Sequence, residues 1–176
     1  MAAAITGDHL FEIASPDPRR RGRVISASSL RDLMPHEKPV YRSYFAFPPD
    51  SLEPSGTNRS PINGYRGPVA LPEIILDVDT SILDSVRGLV MKLMKAMDVA
   101  GDYIRPHFSG TGFHIHLPAA LLGLEASPNL PFKVRKTLTA EFPGIDPKPL
   151  HTKGLIRLTN TLNSKSDLYK IPLTLD

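Results

Sequence analysis

The sequence predicts an α/β (α+β) domain, and three stretches carry that prediction. Glu73 to Thr80 reads E-I-I-L-D-V-D-T, a short run rich in isoleucine, leucine and valine that suits a buried strand. Thr80 to Val99 sets Leu83, Val86, Val90, Leu93 and Met97 on one face at three- and four-residue steps, the period of an amphipathic helix. Tyr103 to Leu117 reads Y-I-R-P-H-F-S-G-T-G-F-H-I-H-L, two extended segments around a tight S-G-T-G turn, which predicts a β-hairpin.

Composition bounds what such a domain can be. At 176 residues the chain is long enough for one well-formed core and short for two. Hydrophobic residues at 41% and charged residues at 22% are ordinary for a soluble globular protein, and no apolar run approaches membrane-spanning length. The start, M-A-A-A-I-T-G-D-H, lacks the basic and apolar regions of a signal peptide, so an intracellular location is expected. With no cysteine there is neither a disulfide nor a thiolate zinc site, and any metal must be held by carboxylate or histidine. A net charge of +3 is compatible with a nucleic-acid partner without arguing for one. Eighteen prolines predict short elements joined by ordered turns.

In chain order, residues 1 to 38 form an N-terminal extension, expected to be partly mobile. It contains S-P-D-P-R-R-R-G-R, four arginines within five residues, either a solvated segment or a phosphate-contacting arm. Val40 to Phe47, V-Y-R-S-Y-F-A-F, is aromatic and alternating and predicts a strand; Ser51 to Pro68, rich in Pro, Gly, Ser and Asn, predicts a loop or hairpin. On the strand at 73 to 79, Asp77 and Asp79 share one face because strand side chains alternate. Neighbouring carboxylates on an apolar strand repel each other, and a divalent cation is the usual remedy; the alternative is that one caps the next helix while the other is solvated. Ser81 and Asp84 fit a capping box for the helix that follows, and Gly101 stands where it would stop. The two aspartates therefore lie at the carboxyl end of a strand before a turn into a helix, where open α/β folds bind ligands.

In the hairpin, Phe113, Ile115 and Leu117 face the core, and His114 and His116 face the other way. The two imidazoles can bind zinc with recruited ligands; His114 can instead bond a phosphate beside Ser109 and the glycine-rich turn; or both are ordinary half-exposed strand residues, the reading favoured for His116. Ala119 to Glu125 can start a helix, and Pro131 to Phe142 predicts one, with Val134, Leu138 and Phe142 at four-residue spacing and Lys133, Arg135 and Lys136 on a solvated side. Asp146 follows in P-G-I-D-P. Gly154 to Leu173 predicts two strand-like segments around a polar turn with Asn163, Ser164 and Lys165.

Four pieces in this order, D-V-D at 77 to 79, S-G-T-G-F-H at 109 to 114, I-D at 145 to 146 and R-L-T-N-T-L-N-S-K at 157 to 165, resemble the archaeo-eukaryotic primase (primase-polymerase) superfamily, in particular its compact plasmid, phage and prokaryotic catalytic modules. The resemblance covers roughly residues 40 to 172. It implies a mixed, RRM-like sheet flanked by helices over a catalytic domain at 39 to 176. It implies that Asp77, Asp79 and Asp146 bind two catalytic divalent ions, Mg²⁺ or Mn²⁺, that Ser109 and His114 contact the nucleotide's phosphates, that Arg157 and Lys165 hold the triphosphate tail, and that Arg42 lies near the nucleotide. Its implied activity is template-directed nucleotidyl transfer, DNA primase or polymerase, with single-stranded DNA template and NTP or dNTP as partners, and a helicase or further replication domain as a possible associate.

Three departures from the family pattern stand out. Asp79 occupies a position where several relatives have Glu, Asn163 one where relatives often have His, and the cysteine-bound zinc module of some members cannot form. Two rival functions use parts of the same residue set. A non-catalytic single-strand-binding module gains nothing from three carboxylates near phosphates, and a two-metal nuclease has no need of Arg157 and Lys165.

Overall fold

The computed structural model describes residues 8–33, 36–54, 59–98 and 103–174. Its strands pair as two four-stranded antiparallel sheets, where a single mixed sheet was expected. The first runs in the order β2 (Arg23–Ser26), β1 (Leu10–Ala14), β3 (Tyr41–Ser43) and β7 (Leu155–Arg157). The second runs β4 (Glu73–Val78), β6 (Phe113–Pro118), β5 (Arg105–Phe108) and β8 (Ile171–Pro172). The two segments predicted over 154 to 173 are thus strands of different sheets. The predicted strand at 40 to 47 is short, continued by isolated bridges at Ala46 and Phe47.

Residues placed in an N-terminal extension belong to the first sheet. β1 pairs with β2 and β3, and Phe11, Ile13 and Ala14 are buried. Nor is the arginine run a free arm throughout, since Arg21 pairs with the buried Glu12 and Arg19 bonds Asp17.

Two α-helices serve the second sheet: α1 (Leu83–Met97) and α2 (Leu130–Glu141), with 3-10 turns at Ala27–Leu33 and Ala119–Leu122. α1 starts three residues later than the sequence predicts and has no capping box: Ile82 is its N-cap, with no side-chain cap bond. Instead the Ile82 amide donates to Thr80 Oγ1 at 3.1 Å, a local turn that ends the strand exit, while Asp84 in the first turn suits the helix dipole. The Gly101 stop lies outside the described residues. Among the described residues no helix is long and apolar enough to cross a membrane.

Register decides which side chains meet. Leu76 opposes Ile115, Ile74 opposes Leu117 and Val78 opposes Phe113; these residues share one core with Val86, Val90 and Leu93 of α1 and Val134 and Leu138 of α2. The alternate residues, Glu73, Ile75 and Asp77 on β4 with His114 and His116 on β6, turn toward the first sheet. A phenol ties the two sheets at mid-strand, where the Tyr44 hydroxyl accepts from Ile75 N–H at 2.8 Å and donates to Ile75 C=O at 3.0 Å.

Candidate functional site

The acidic end of β4 is assembled from three segments. Asp77 stands directly opposite His114 in the ladder, and His114 Nε2 lies 3.5 Å from Asp77 Oδ1. After α2 the chain returns through Phe142–Ile145 to the open edge of β4, where the Asp146 amide donates to Asp77 C=O at 2.8 Å. That one main-chain bond brings Asp146 beside Asp77, while Asp79 lies exposed one residue past the end of β4. Asp146 is further held by its own turn, accepting from Lys148 N–H at 2.9 Å. Among the described residues, no three or more His, Asp or Glu side chains already converge on one cation position.

The three carboxylates are nevertheless near enough to act on one another electrostatically. Burial, then the charges of Asp79 and Asp146, push the Asp77 carboxyl up to about 6, against weaker opposing effects of Lys170 and Arg157. A carboxylate penalised by two like charges is a site that gains from a cation.

The hairpin turn is pressed against these acids. A Cβ on Gly112 would sit 2.7 Å from Val78 O, and Gly110 adopts φ +95° with no room for a side chain beside Asn163 and Ser166, so both glycines are dictated by close approach. Ser109 closes the turn: its amide bonds Gly112 C=O at 2.8 Å and its hydroxyl accepts from Gly112 N–H at 3.1 Å. Its carbonyl receives Arg157 Nη2 and, at 3.0 Å, Asn163 Nδ2. Arg157 thereby joins β7 of the first sheet to the turn of the second. Its Nη1, and Nδ1 of His114, are buried with no hydrogen-bond partner among the described residues. A buried guanidinium nitrogen without an acceptor suits an anionic oxygen.

The remaining predicted residues are placed differently. Lys165 is exposed in the turn that follows Asn163, whose Oδ1 accepts the Lys165 amide at 2.9 Å. Arg42 is consumed by structure: Nη1 bonds the carbonyls of Ser43 and Tyr44, Nη2 bonds Glu73 Oε1 at 2.7 Å, and its guanidinium stacks 5.0 Å from the Phe11 ring. Neither histidine is half-exposed; both are buried where the sheets face each other. Burial first, then the charge of Lys170, lowers each of them, His116 to about 3, so both rings are neutral near pH 7.

A chain of buried polar groups escaped sequence analysis. Arg42 reaches Glu73; Glu73 Oε2 accepts from His116 Nδ1 at 2.8 Å; His116 Nε2 accepts from Lys170 Nζ at 2.9 Å; Lys170 Nζ also donates to Arg157 C=O at 3.0 Å. These partners require the His116 proton on Nδ1. Burial works to raise Glu73, but its bonds to His116 and Arg42 prevail and hold it below the usual carboxylate range. Burial alone is the main force bringing fully buried Lys170 down to about 7. The chain borders a cavity of about 380 Å³ between the sheets, lined also by Arg105, His107 and Arg157. Glu73 could have been found, since it falls in step with Asp77 on the strand; Lys170, between Tyr169 and Ile171, carries no local signal.

No protein-family model matches this chain, and no curated protein matches it significantly.

Proposed function

We propose that the protein is a template-directed nucleotidyltransferase of the primase-polymerase type, joining nucleoside triphosphates on a single-stranded template. One observation carries the reading: Asp146, remote in sequence from Asp77 and Asp79, is bonded to the Asp77 main chain at the end of β4. The path β4, α1, β5, β6, α2 is a β-α-β-β-α arrangement that then returns to the free edge of β4 through one main-chain bond at Asp146, where no strand forms, and this order supports an RRM-like core within the second sheet.

The donor set fits two divalent cations, because hard carboxylate oxygens are what Mg²⁺ and Mn²⁺ prefer and because Asp77 carries a repulsion that a cation relieves. Asp77, Asp79 and Asp146 would hold them. When bound, such ions stabilise the charge that develops on the attacking and leaving oxygens of an in-line phosphoryl displacement. The chain's other groups bind and orient. Arg157, with Nη2 anchored on the Ser109 carbonyl, aims Nη1 at a phosphate oxygen; neutral His114 offers a ring N–H beside Asp77; Lys165 adds a mobile point charge from the exposed turn. Arg42 holds the sheets together through Glu73 at the edge of the same cavity.

The test is incorporation of labelled NTP or dNTP on a single-stranded template with Mg²⁺ or Mn²⁺, with and without primer. The Asp77→Ala, Asp79→Ala double variant should lose on the order of a thousand-fold or more in rate, since metal-assisted charge stabilisation is worth several kcal/mol. Its circular dichroism should remain native. Full incorporation by that variant ends the proposal, and cleavage of the labelled template by wild type in place of incorporation makes the protein a nuclease.

A further inference from the structure

α2 displays its charges against the preference of its own backbone. Lys133, Arg135 and Lys136 all fall within its first seven residues, its first turn holds no acid and its last turn no base. Its one acid, Glu141, sits at the C-terminal end. Such an arrangement leaves three neighbouring positive charges without an ion-pair partner among the described residues.

An aromatic ring stands beside those charges. Phe132 is 70% exposed, while Pro131, Val134 and Leu138 on the opposite side are buried. Arg135 and Lys136 lie three and four residues after Phe132 and hence beside it on the same face. More positive charge adjoins from two other segments. Arg21, also paired with Glu12, bonds the Lys153 carbonyl at 3.1 Å, and Lys153 N–H bonds His151 Nδ1 at 3.2 Å. His151 is held below its ordinary value by burial and then by the nearby charges of Arg135, Arg21 and Lys153, which puts Arg135 and this corner in one neighbourhood.

We infer that the exposed face of α2 is a docking surface for single-stranded nucleic acid, with a base stacked on Phe132 and the flanking phosphates on Arg135 and Lys136. An exposed ring between unpaired cations matches the two things a single strand offers, a π face and a phosphate on each nucleotide. An acidic protein would use the charges and leave the ring idle. The identity of the partner rests on the nucleotidyl-transfer reading above. The stripe begins about 14 Å of helix axis before Glu141, at 1.5 Å per residue, and α2 leads through Phe142–Ile145 to Asp146.

The experiment is fluorescence anisotropy of a labelled oligothymidylate with the full chain over a series of salt concentrations, run beside the incorporation assay. Phe132→Ala should weaken binding on the order of ten-fold, and Phe132→Trp should restore it. Arg135→Ala with Lys136→Ala should lower the slope of log affinity against log salt by about 1.4, two phosphate contacts at about 0.7 each. Affinity within two-fold of wild type in Phe132→Ala, with incorporation intact, overturns the surface and leaves the enzyme. Phe132-dependent binding by a protein that incorporates no nucleotide supports the surface and overturns the catalytic reading. Tighter, Phe132-dependent binding to vesicles of equal phosphatidylcholine and phosphatidylserine, or to polyglutamate, overturns it as well.

Discussion

The two faces of the second sheet are built from the same strands and obey opposite rules. Toward the helices, Ile74, Leu76, Val78, Phe113, Ile115 and Leu117 bury hydrocarbon against α1 and α2, and every contact there favours folding. Toward the first sheet, Glu73, Asp77, His114 and His116 alternate with them, and Lys170 and Arg157 come from elsewhere to meet them. Burial works against nearly every charge on this face. One face is held by hydrocarbon burial alone, while the other joins the sheets through bonds such as Arg42 to Glu73 and pays desolvation for its charges.

The comparison can be broken most directly from the apolar side. Leu76→Ala, which empties a fully buried site, should cost about 2–5 kcal/mol and lower Tm by roughly 5–20 °C. A loss below about 1 kcal/mol in denaturant titration would mean that this face does not carry the fold.

On the polar side the sign should reverse. Asp77→Asn should stabilise the metal-free protein at pH 7.5 by up to roughly 3 kcal/mol, the free-energy equivalent of raising a carboxyl from its ordinary value to about 6. Because the folded-state value is raised, ionised Asp77 penalises the native state fully above pH 6. The penalty fades as pH falls through 6 and is gone below 4, where wild type and variant should melt together. Mg²⁺ should then raise the wild-type Tm at pH 7.5 and leave Asp77→Asn unchanged, and equal Mg²⁺ responses would deny the carboxylate its role. The smallest effect sharpens the picture at one atom. Arg157→Ala should raise the nucleotide KM roughly ten- to a hundred-fold with a smaller change in kcat, since the lost bond is to bound substrate. An unchanged KM would leave Arg157 as a tie between β7 and the hairpin turn only.

How much of this was legible in advance follows from how local each signal is. The strand at Glu73–Val78, the helices and the hairpin were visible because alternation and three-to-four-residue spacing are properties of neighbouring residues. The capping box at Ser81 misled because a Thr80 side-chain turn satisfies the backbone there first. Arg42, expected near the nucleotide, also has structural partners that its neighbours in sequence do not announce, Glu73 and Phe11, both distant along the chain. His116 looked half-exposed because a strand's second face is often wet, and here a second sheet covers it.

Residue order alone settled the period of each element and the glycines that let a turn press against the strand end, since these follow from backbone geometry over a few residues; the expected sharing of one strand face by Asp77 and Asp79 did not hold, because β4 ends at Val78 and leaves Asp79 exposed just beyond it. Which strands share a sheet, the arrival of Asp146 at the edge of β4, and the burial of Lys170 between His116 and the Arg157 carbonyl were decided only by the tertiary structure. Long-range pairing is selected by the whole buried surface and by the need to give each buried polar group a partner, and no window of sequence contains either quantity.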